Sequence, residues 1–342
     1  MAKKTQFNCA ATCIGTMPHK DPVEACKLIG KFLPGIPFWP QLPSRSAKEI
    51  MYLQYSEGFE GISNAGGKVS FTRPENFDGQ IEKLYTDYAE DNYRSYAVTP
   101  EYASGLYALE GIKAQSPGLI KGHIVGPISW GLSVVDESGR GILYDEQLAE
   151  ASAKFLHLKA AWQEHFLRKI AGNTIIFVDE PYMVSLGTAM VAISDKQVSE
   201  LLEEVLSGIK SIKGIHCCGA TDWSLILKSS TDILSFDTYN YADSLATHVK
   251  DTEGFLAGGG SIAWGIIPNE EETLRRETVS SLFDRFGEAV APFTRGGISF
   301  KQILAQSIIT PSCGLASLSK EAAEDVLVLL SELSAKLKAK YL

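Results

Sequence analysis

Apolar positions along the chain alternate between short β-rich runs and longer stretches in which hydrophobic residues recur every three or four places. The short runs are 9–14, 36–39, 119–125, 174–178, 213–216, 233–236, 261–266 and 305–309. They are brief and mostly apolar, which is the pattern of strands in a parallel sheet covered by helices. The helical period runs over 144–170, 195–209, 270–286 and 320–342. A further helix start is written in Asp21-Pro22-Val23-Glu24, which offers a side-chain cap, a proline in the first turn and an acid close behind it, and the periodic run continues to Phe32. Strands alternating with helices predict a parallel sheet covered by helices, and eight strands predict an α/β protein of one (β/α)₈ TIM barrel, residues 1–342 forming a single domain. Between 60 and 73 the alternation in Lys68-Val69-Ser70-Phe71-Thr72 predicts a β-hairpin inserted on top of the barrel. There is no internal repeat and no linker.

Composition narrows the class of partner. The 342 residues are 45% hydrophobic and 21% charged, enough apolar material for a large core. A net charge of −9 with no basic stripe argues against a nucleic-acid or anionic-membrane surface. The longest apolar stretches, 175–178 and 326–330, fall far short of the roughly 20 residues needed to span a bilayer. Residues 1–6 lack the apolar core of a signal peptide, so a cytoplasmic protein is expected. The six cysteines, at 9, 13, 26, 217, 218 and 313, are too scattered for a disulfide framework, and a reducing compartment would leave them available as thiolates.

Candidate chemistry gathers at the carboxyl ends of the expected strands, where barrel enzymes build their sites. The first strand runs into Ile14-Gly15-Thr16, the third into Gly126-Pro127-Ile128-Ser129-Trp130, and the fourth into Asp179-Glu180-Pro181. The fifth delivers Gly214-Ile215-His216-Cys217-Cys218-Gly219, the sixth Asp237, and the eighth Thr310-Pro311-Ser312-Cys313-Gly314-Leu315. In an extended segment alternate side chains share a face, so His216 and Cys218 point one way and Cys217 the other. An imidazole with two thiolates is a soft donor set that suits Zn²⁺ in tetrahedral geometry and leaves an exchangeable position for a substrate. Buried cysteines beside a satisfied histidine are the plainer alternative. Asp179 or Glu180 could instead cap the next helix, and Asp237 could be a turn residue. The run Gly258-Gly259-Gly260 lacks the companions of a phosphate-binding loop and reads as a turn. Among the other histidines only His123, within the third strand, has a position that could face the barrel interior.

At these residues the chain resembles the carboxy-terminal catalytic barrel of cobalamin-independent methionine synthase, within the superfamily that includes uroporphyrinogen decarboxylase and the zinc methyltransferases acting on coenzyme M. The resemblance spans most of the sequence. Ile14-Gly15-Thr16 is similar to an I-G-S motif that contacts the amino-acid substrate in that family, and Val178-Asp179-Glu180-Pro181 to a V-D-E-P motif whose Asp holds the substrate amino group. His216, Cys218, Asp237 and Cys313 stand where the family places its zinc ligands, with Asp237 in place of a Glu. The resemblance implies a zinc-dependent S-methyltransferase in which a small thiol, homocysteine, becomes methionine. Asp179 would anchor the substrate ammonium, Ile14 to Thr16 its carboxylate end, and Trp130 would line the donor side. The family enzyme carries a second, amino-terminal barrel that helps to bind its folate donor, whereas this chain has one barrel's worth of sequence. The expected donor is therefore either 5-methyltetrahydrofolate or a methyl-corrinoid carried on a partner protein. The family's H-G-E motif has no counterpart; Pro40-Gln41-Leu42-Pro43-Ser44-Arg45 occupies roughly that place. Methyl transfer involving another thiol such as coenzyme M, a uroporphyrinogen decarboxylase-like reaction and a non-catalytic zinc barrel are the alternatives.

Overall fold

Seven parallel strands form one curled sheet in the computed structural model, which describes residues 6–65, 68–111, 118–188 and 191–342. In chain order the strands are β1 (Ala10–Ala11), a separate hairpin of β2 (Ile62–Ala65) and β3 (Lys68–Phe71), then β4 (Leu119–Val125), β5 (Asn173–Asp179), β6 (Ile212–Cys217), β7 (Ile233–Phe236), β8 (Ser261–Ile267) and β9 (Ser307–Pro311). The sheet runs β1-β9-β8-β7-β6-β5-β4, so β1 and β4 are its edges. Expected residues 1–5 and the hairpin tip at 66–67 lie outside the described residues.

The expected second strand, 36–39, is not a strand; it bridges the gap between the two edges. Lys121 N donates to Pro37 O at 2.8 Å and Trp39 N to Lys121 O at 3.4 Å, after which Gln41 N donates to Gly15 O at 3.0 Å and Met17 N to Gln41 O at 2.9 Å. Pro37 and Pro40 have no N–H to give, so the segment makes isolated bridges in place of a ladder. The barrel is closed by this seam.

The seam ends before it reaches His123, whose backbone would otherwise be left bare. Gln163, from the helix Glu146–Leu167, takes over: its Oε1 accepts from His123 N at 2.9 Å and from Trp39 Nε1 at 3.1 Å, while its Nε2 donates to His123 O at 2.8 Å. A side-chain amide here does what a neighbouring strand would have done. The Tyr55 hydroxyl donates to the same carbonyl.

Strands β7, β8 and β9 are buried along their whole length, as parallel strands covered by helices must be. Their outer faces pack under the helices in the main core, and Phe7, Ile36, Ile175, Phe177, Ile233, Ala263 and Ile308 form a separate apolar cluster inside the ring. Phe177 fits there because residue 214 on the neighbouring strand is glycine; a Cβ at Gly214 would lie 2.3 Å from the Phe177 ring. Two residues further along each strand the same inward face carries polar groups: Asp179 follows Phe177, Ser235 follows Ile233, Thr310 follows Ile308, and His216 follows Gly214. The barrel is thus plugged by hydrocarbon below and lined by polar atoms above.

The helices follow the expected starts more closely than the expected ends. Asp21 caps Pro22–Phe32 by accepting from Val23 N and Glu24 N, and Asp145 caps Glu146–Leu167 through Leu148 N. The single helix expected over 270–286 is two, Glu271–Leu274 and Val279–Arg295, because Thr278 and Ser281 form a reciprocal capping box that restarts the chain. The hairpin pairs antiparallel from Ile62 with Phe71 and leans on Val135 through a bridge from Ser70. Among the described residues no helix is long and apolar enough to cross a membrane.

Because Gln163 satisfies two buried backbone groups of β4 at once, Gln163→Leu is expected to lower the unfolding free energy by about 2–4 kcal/mol. A urea midpoint within error of the wild type, with unchanged slope, would refute this account of how the seam is sealed.

Candidate metal centre

Three soft donors converge at the mouth. His216, Cys218 and Cys313 each offer one ligand atom, and these atoms all lie within 4.8 Å of one another. His216 is the penultimate residue of β6, inward by alternation, and Cys218 follows immediately after the strand; Cys313 comes two residues after β9. The loop bearing Cys313 is pinned by Leu315 N donating to Thr16 O at 3.0 Å and by Ser312 N donating to Ile267 O at 2.8 Å. Both strands therefore deliver their donors from fixed backbone rather than from a mobile tip.

The imidazole is pre-oriented. Its Nδ1 is 3.0 Å from Ser235 Oγ on β7, while Nε2 is buried with no hydrogen-bond partner. One ring nitrogen held by a neighbour and the other left free is the arrangement of a metal-ligating histidine. The two thiols share a proton between them. The neighbouring Cys313 thiol, and after it the His216 imidazole, pull Cys218 down to about 4 against the effect of burial, while the same Cys218 contact and burial raise Cys313 well above the ordinary thiol range. Of the two thiols Cys218 is thus the one favoured to give up its proton. The donor set and the orphaned Nε2 both fit a metal such as zinc, which would take His216, Cys218 and Cys313 as ligands.

Cys217, the neighbour of Cys218, is fully buried in the core outside the ring, with its thiol pushed up to about 12 by burial. The expected division of the pair, one cysteine in the wall and one at the site, holds. All six cysteines are free.

Asp237 stands apart from the three donors. It ends β7 and caps the helix Thr238–Ala246, with Oδ1 accepting from Asn240 N at 2.9 Å and Oδ2 from Asn240 Nδ2 at 2.7 Å. Burial raises its carboxyl, and the nearby Cys218 adds to that rise. As a cap it accepts one hydrogen bond on each oxygen, and the group of three does not include it.

The two acids of the 178–181 motif divide their roles. Glu180 accepts from Ile128 N at 2.9 Å, Ser129 N at 2.8 Å and Ser129 Oγ at 2.6 Å, so it ties the end of β5 to the N-terminus of the helix Pro127–Ser133. Burial pushes its pKa up to about 7. Asp179, paired in register with His216 on β6, has no such anchor: its Oδ1 is buried without a partner. Burial raises its pKa to about 6, with His216 and Lys121 pulling the other way.

Ile14, Gly15 and Thr16 pass directly over His123 and against Gly314. A Cβ at Gly15 would lie 2.6 Å from His123 Nδ1, and one at Gly314 would lie 2.0 Å from Thr16 Oγ1, so both glycines are required by close approach. His123 does face inward, stacked on Trp39 with ring centroids 4.1 Å apart; burial keeps it neutral, and neither ring nitrogen has a partner. Trp130 is not brought to the mouth. It is fully buried, its Nε1 donates to Tyr52 O and Ser56 Oγ, and its ring packs against Phe59 and Phe155. Its N–H is thus satisfied inside the core.

Sequence reasoning missed Lys121 and Ser235. Lys121 was visible as a lysine in the middle of an otherwise apolar strand, an unusual residue where both faces are buried. Ser235 gave no signal, since its role appears only when β6 and β7 are set in register.

No family model matches the sequence, and no curated protein matches it. Among solved structures the chain is similar to a B12-independent methionine synthase from Shewanella sp. W3-18-1, determined in complex with selenomethionine, at 19% sequence identity and a TM-score of 0.50. The similarity covers 69% of this chain and 66% of that one, just under two thirds of its length. It is a likeness of fold, a parallel barrel-like α/β sheet.

If the three donors form the site, His216→Ala, Cys218→Ser and Cys313→Ser each weaken zinc binding more than about 100-fold, whereas Ser235→Ala costs about 10- to 100-fold through loss of ring orientation. Cys217→Ala and Asp237→Asn are expected to keep the metal. Zinc affinities measured by competition with a chromophoric chelator check the series, and equal loss in Cys217→Ala and Cys218→Ser would mean that the strand register is different. In metal-free protein Cys218 should alkylate with iodoacetamide at a constant rate from about pH 8 down to pH 5, slowing only as the pH approaches 4 and the thiolate takes up its proton. Peptide mapping that finds the rate of Cys218 falling between pH 8 and 7, like that of an ordinary thiol, would contradict the shared-proton arrangement.

Proposed function

We propose that this chain is a zinc-dependent S-methyltransferase that moves a methyl group onto a small thiol, with homocysteine as acceptor and methionine as product. The observation that carries the reading is the convergence of His216, Cys218 and Cys313 at the barrel mouth. Three protein donors leave a tetrahedral ion one position for an incoming sulfur. The likeness in fold to a B12-independent methionine synthase supports the same chemistry. Porphyrin decarboxylation has no use for such a group, and a scaffold would not require a free Nε2 beside a thiolate.

A free thiol has a pKa near ~8.5 and is mostly protonated at neutral pH; zinc held by His216, Cys218 and Cys313 would supply the positive charge that favours the thiolate form of an acceptor. The residues of the chain hold and align the substrate. The unpartnered Oδ1 of Asp179, beside His216, accepts from the substrate ammonium. The turn of Ile14, Gly15 and Thr16, fixed over His123 and against the Cys313 loop, bounds the opposite end of the substrate. In the transfer a sulfur–carbon bond forms as the bond from the methyl group to its donor breaks, and that bond's electron pair departs with the donor. With a corrinoid donor the electron pair stays on the departing corrinoid and no proton is moved; with 5-methyltetrahydrofolate a proton must also reach the departing nitrogen, and in either case the chain contributes alignment. The methyl donor is a methyl-corrinoid on a partner protein or 5-methyltetrahydrofolate.

Zinc-loaded protein supplied with homocysteine and, in turn, methylcobalamin or 5-methyltetrahydrofolate is expected to release methionine with one of the two, detected by mass spectrometry. A zinc-free preparation, or one carrying Cys218→Ser, should release none. Turnover that persists without metal, or a loaded protein that does not bind homocysteine, would overturn the reading. Asp179→Asn should raise KM for homocysteine about 30- to 100-fold, the cost of leaving an ammonium without its carboxylate, and leave KM for thiols lacking an amino group unchanged. For the wild type, KM for homocysteine should rise as the pH falls far enough for Asp179 to take up a proton, since burial raises its carboxyl above the ordinary aspartate range.

A further inference from the structure

Lys121 has no part in that reading, yet it is fully buried on the inward face of β4, where an apolar side chain would have packed without electrostatic cost. The face is fixed by its neighbour: a Cβ at Gly122 would collide with Gln163 and Leu167 on the outside of the ring, so residues 121 and 123 point in. The ammonium reaches across to the end of β1, where it donates to Ile14 O, and sits 4.3 Å from the centre of the Phe177 ring. Among the described residues Ile14 O is its one hydrogen-bond partner, so two of its three N–H groups are free.

Phe177 and Asp179 are successive inward residues of β5, so the Lys121 ammonium lies one layer beneath Asp179 and the three soft donors. The two opposite charges influence one another. They do not neutralise each other by direct contact, since Asp179 Oδ1 is unpartnered and the ammonium is held by Ile14. Buried opposite charges kept apart are costly unless something of complementary charge lies between them. A zwitterion does so, with its ammonium on Asp179 and its carboxylate on Lys121 and the adjoining turn at Ile14 to Thr16.

We infer that Lys121 is a specificity-determining residue that holds the carboxylate of the acceptor, so that the site takes α-amino-acid thiols and discriminates against thiols that lack the carboxylate. This rests on the thiol-acceptor reading above. Asp179 and Lys121 would each hold one of the ligand's two charges, and the three-donor group sets where its sulfur must reach.

The test is calorimetric binding of homocysteine and of its decarboxylated analogue 3-aminopropanethiol to zinc-loaded protein, with zinc content and circular dichroism matched across variants. Wild type is expected to bind homocysteine at least about 30-fold more tightly than the analogue. In Lys121→Met that preference should fall to about 3-fold or less, through weaker homocysteine binding with the analogue unchanged, and Lys121→Arg should restore part of it. Equal weakening of both ligands in Lys121→Met would assign the lysine to supporting the Ile14 turn and overturn the inference. A wild type that binds both thiols alike would overturn it too, without needing any variant to fold, and would leave thiol methylation standing. A wild type that binds neither thiol would instead remove the acceptor reading on which the inference depends.

Discussion

A closed parallel barrel buries both faces of every strand, so any polar side chain pointing inward must be accounted for by a partner inside the ring. Below the mouth this chain meets the constraint with hydrocarbon, a plug built around Phe177, Ile233 and Ile308. Above it the inward positions turn polar together, and apart from the bond between Ser235 and His216 they do not satisfy one another: His216 Nε2, Asp179 Oδ1, Thr12 Oγ1, Thr310 Oγ1 and both nitrogens of His123 are buried without partners. Native interiors seldom tolerate so many unpaired polar atoms in one place. Their concentration over an apolar floor is what a cavity shaped for a polar ligand requires.

The rigid parts of the site come from different sources. His216 owes its orientation to a serine one strand away, Cys313 to a loop held by Thr16 and Ile267, and the helix beside the mouth to the Glu180 cap. Each is a short-range device. Together they fix donors that are nearly a hundred residues apart in sequence without a disulfide, which keeps both thiols available.

Much of the plan was legible in the sequence. Parallel strands are apolar on both faces, so the runs at 119–125, 233–236 and 261–266 stood out and are strands at almost those limits. The His-x-Cys spacing and the distant Cys313 could be read as one site because alternation along a strand is a local rule. What was not legible depends on partners distant in sequence. The run at 36–39 looks like a strand, but its prolines cannot complete a ladder. Trp130 follows a strand end as site residues do, yet a tyrosine carbonyl and a serine hydroxyl draw its N–H into the core. Asp237 was ambiguous between ligand and cap for the same reason: only the position of Asn240 decides where its oxygens point.

The seam at 36–41 has a consequence for how the wall behaves. Neighbouring strands are joined by ladders, from the two residue pairs of β1 with β9 to the seven of β4 with β5, but here a few isolated bonds and one glutamine side chain hold the circumference together. Local opening is cheapest where backbone hydrogen bonds are fewest. That stretch adjoins Gly15 and Thr16, which rest against the loop of Cys313, and on its other side only β4 separates it from the strands that carry Asp179 and His216. Breathing is thereby cheapest at the seam itself, while the imidazole and the acid sit on strands joined to their neighbours by full ladders, a fixed anvil.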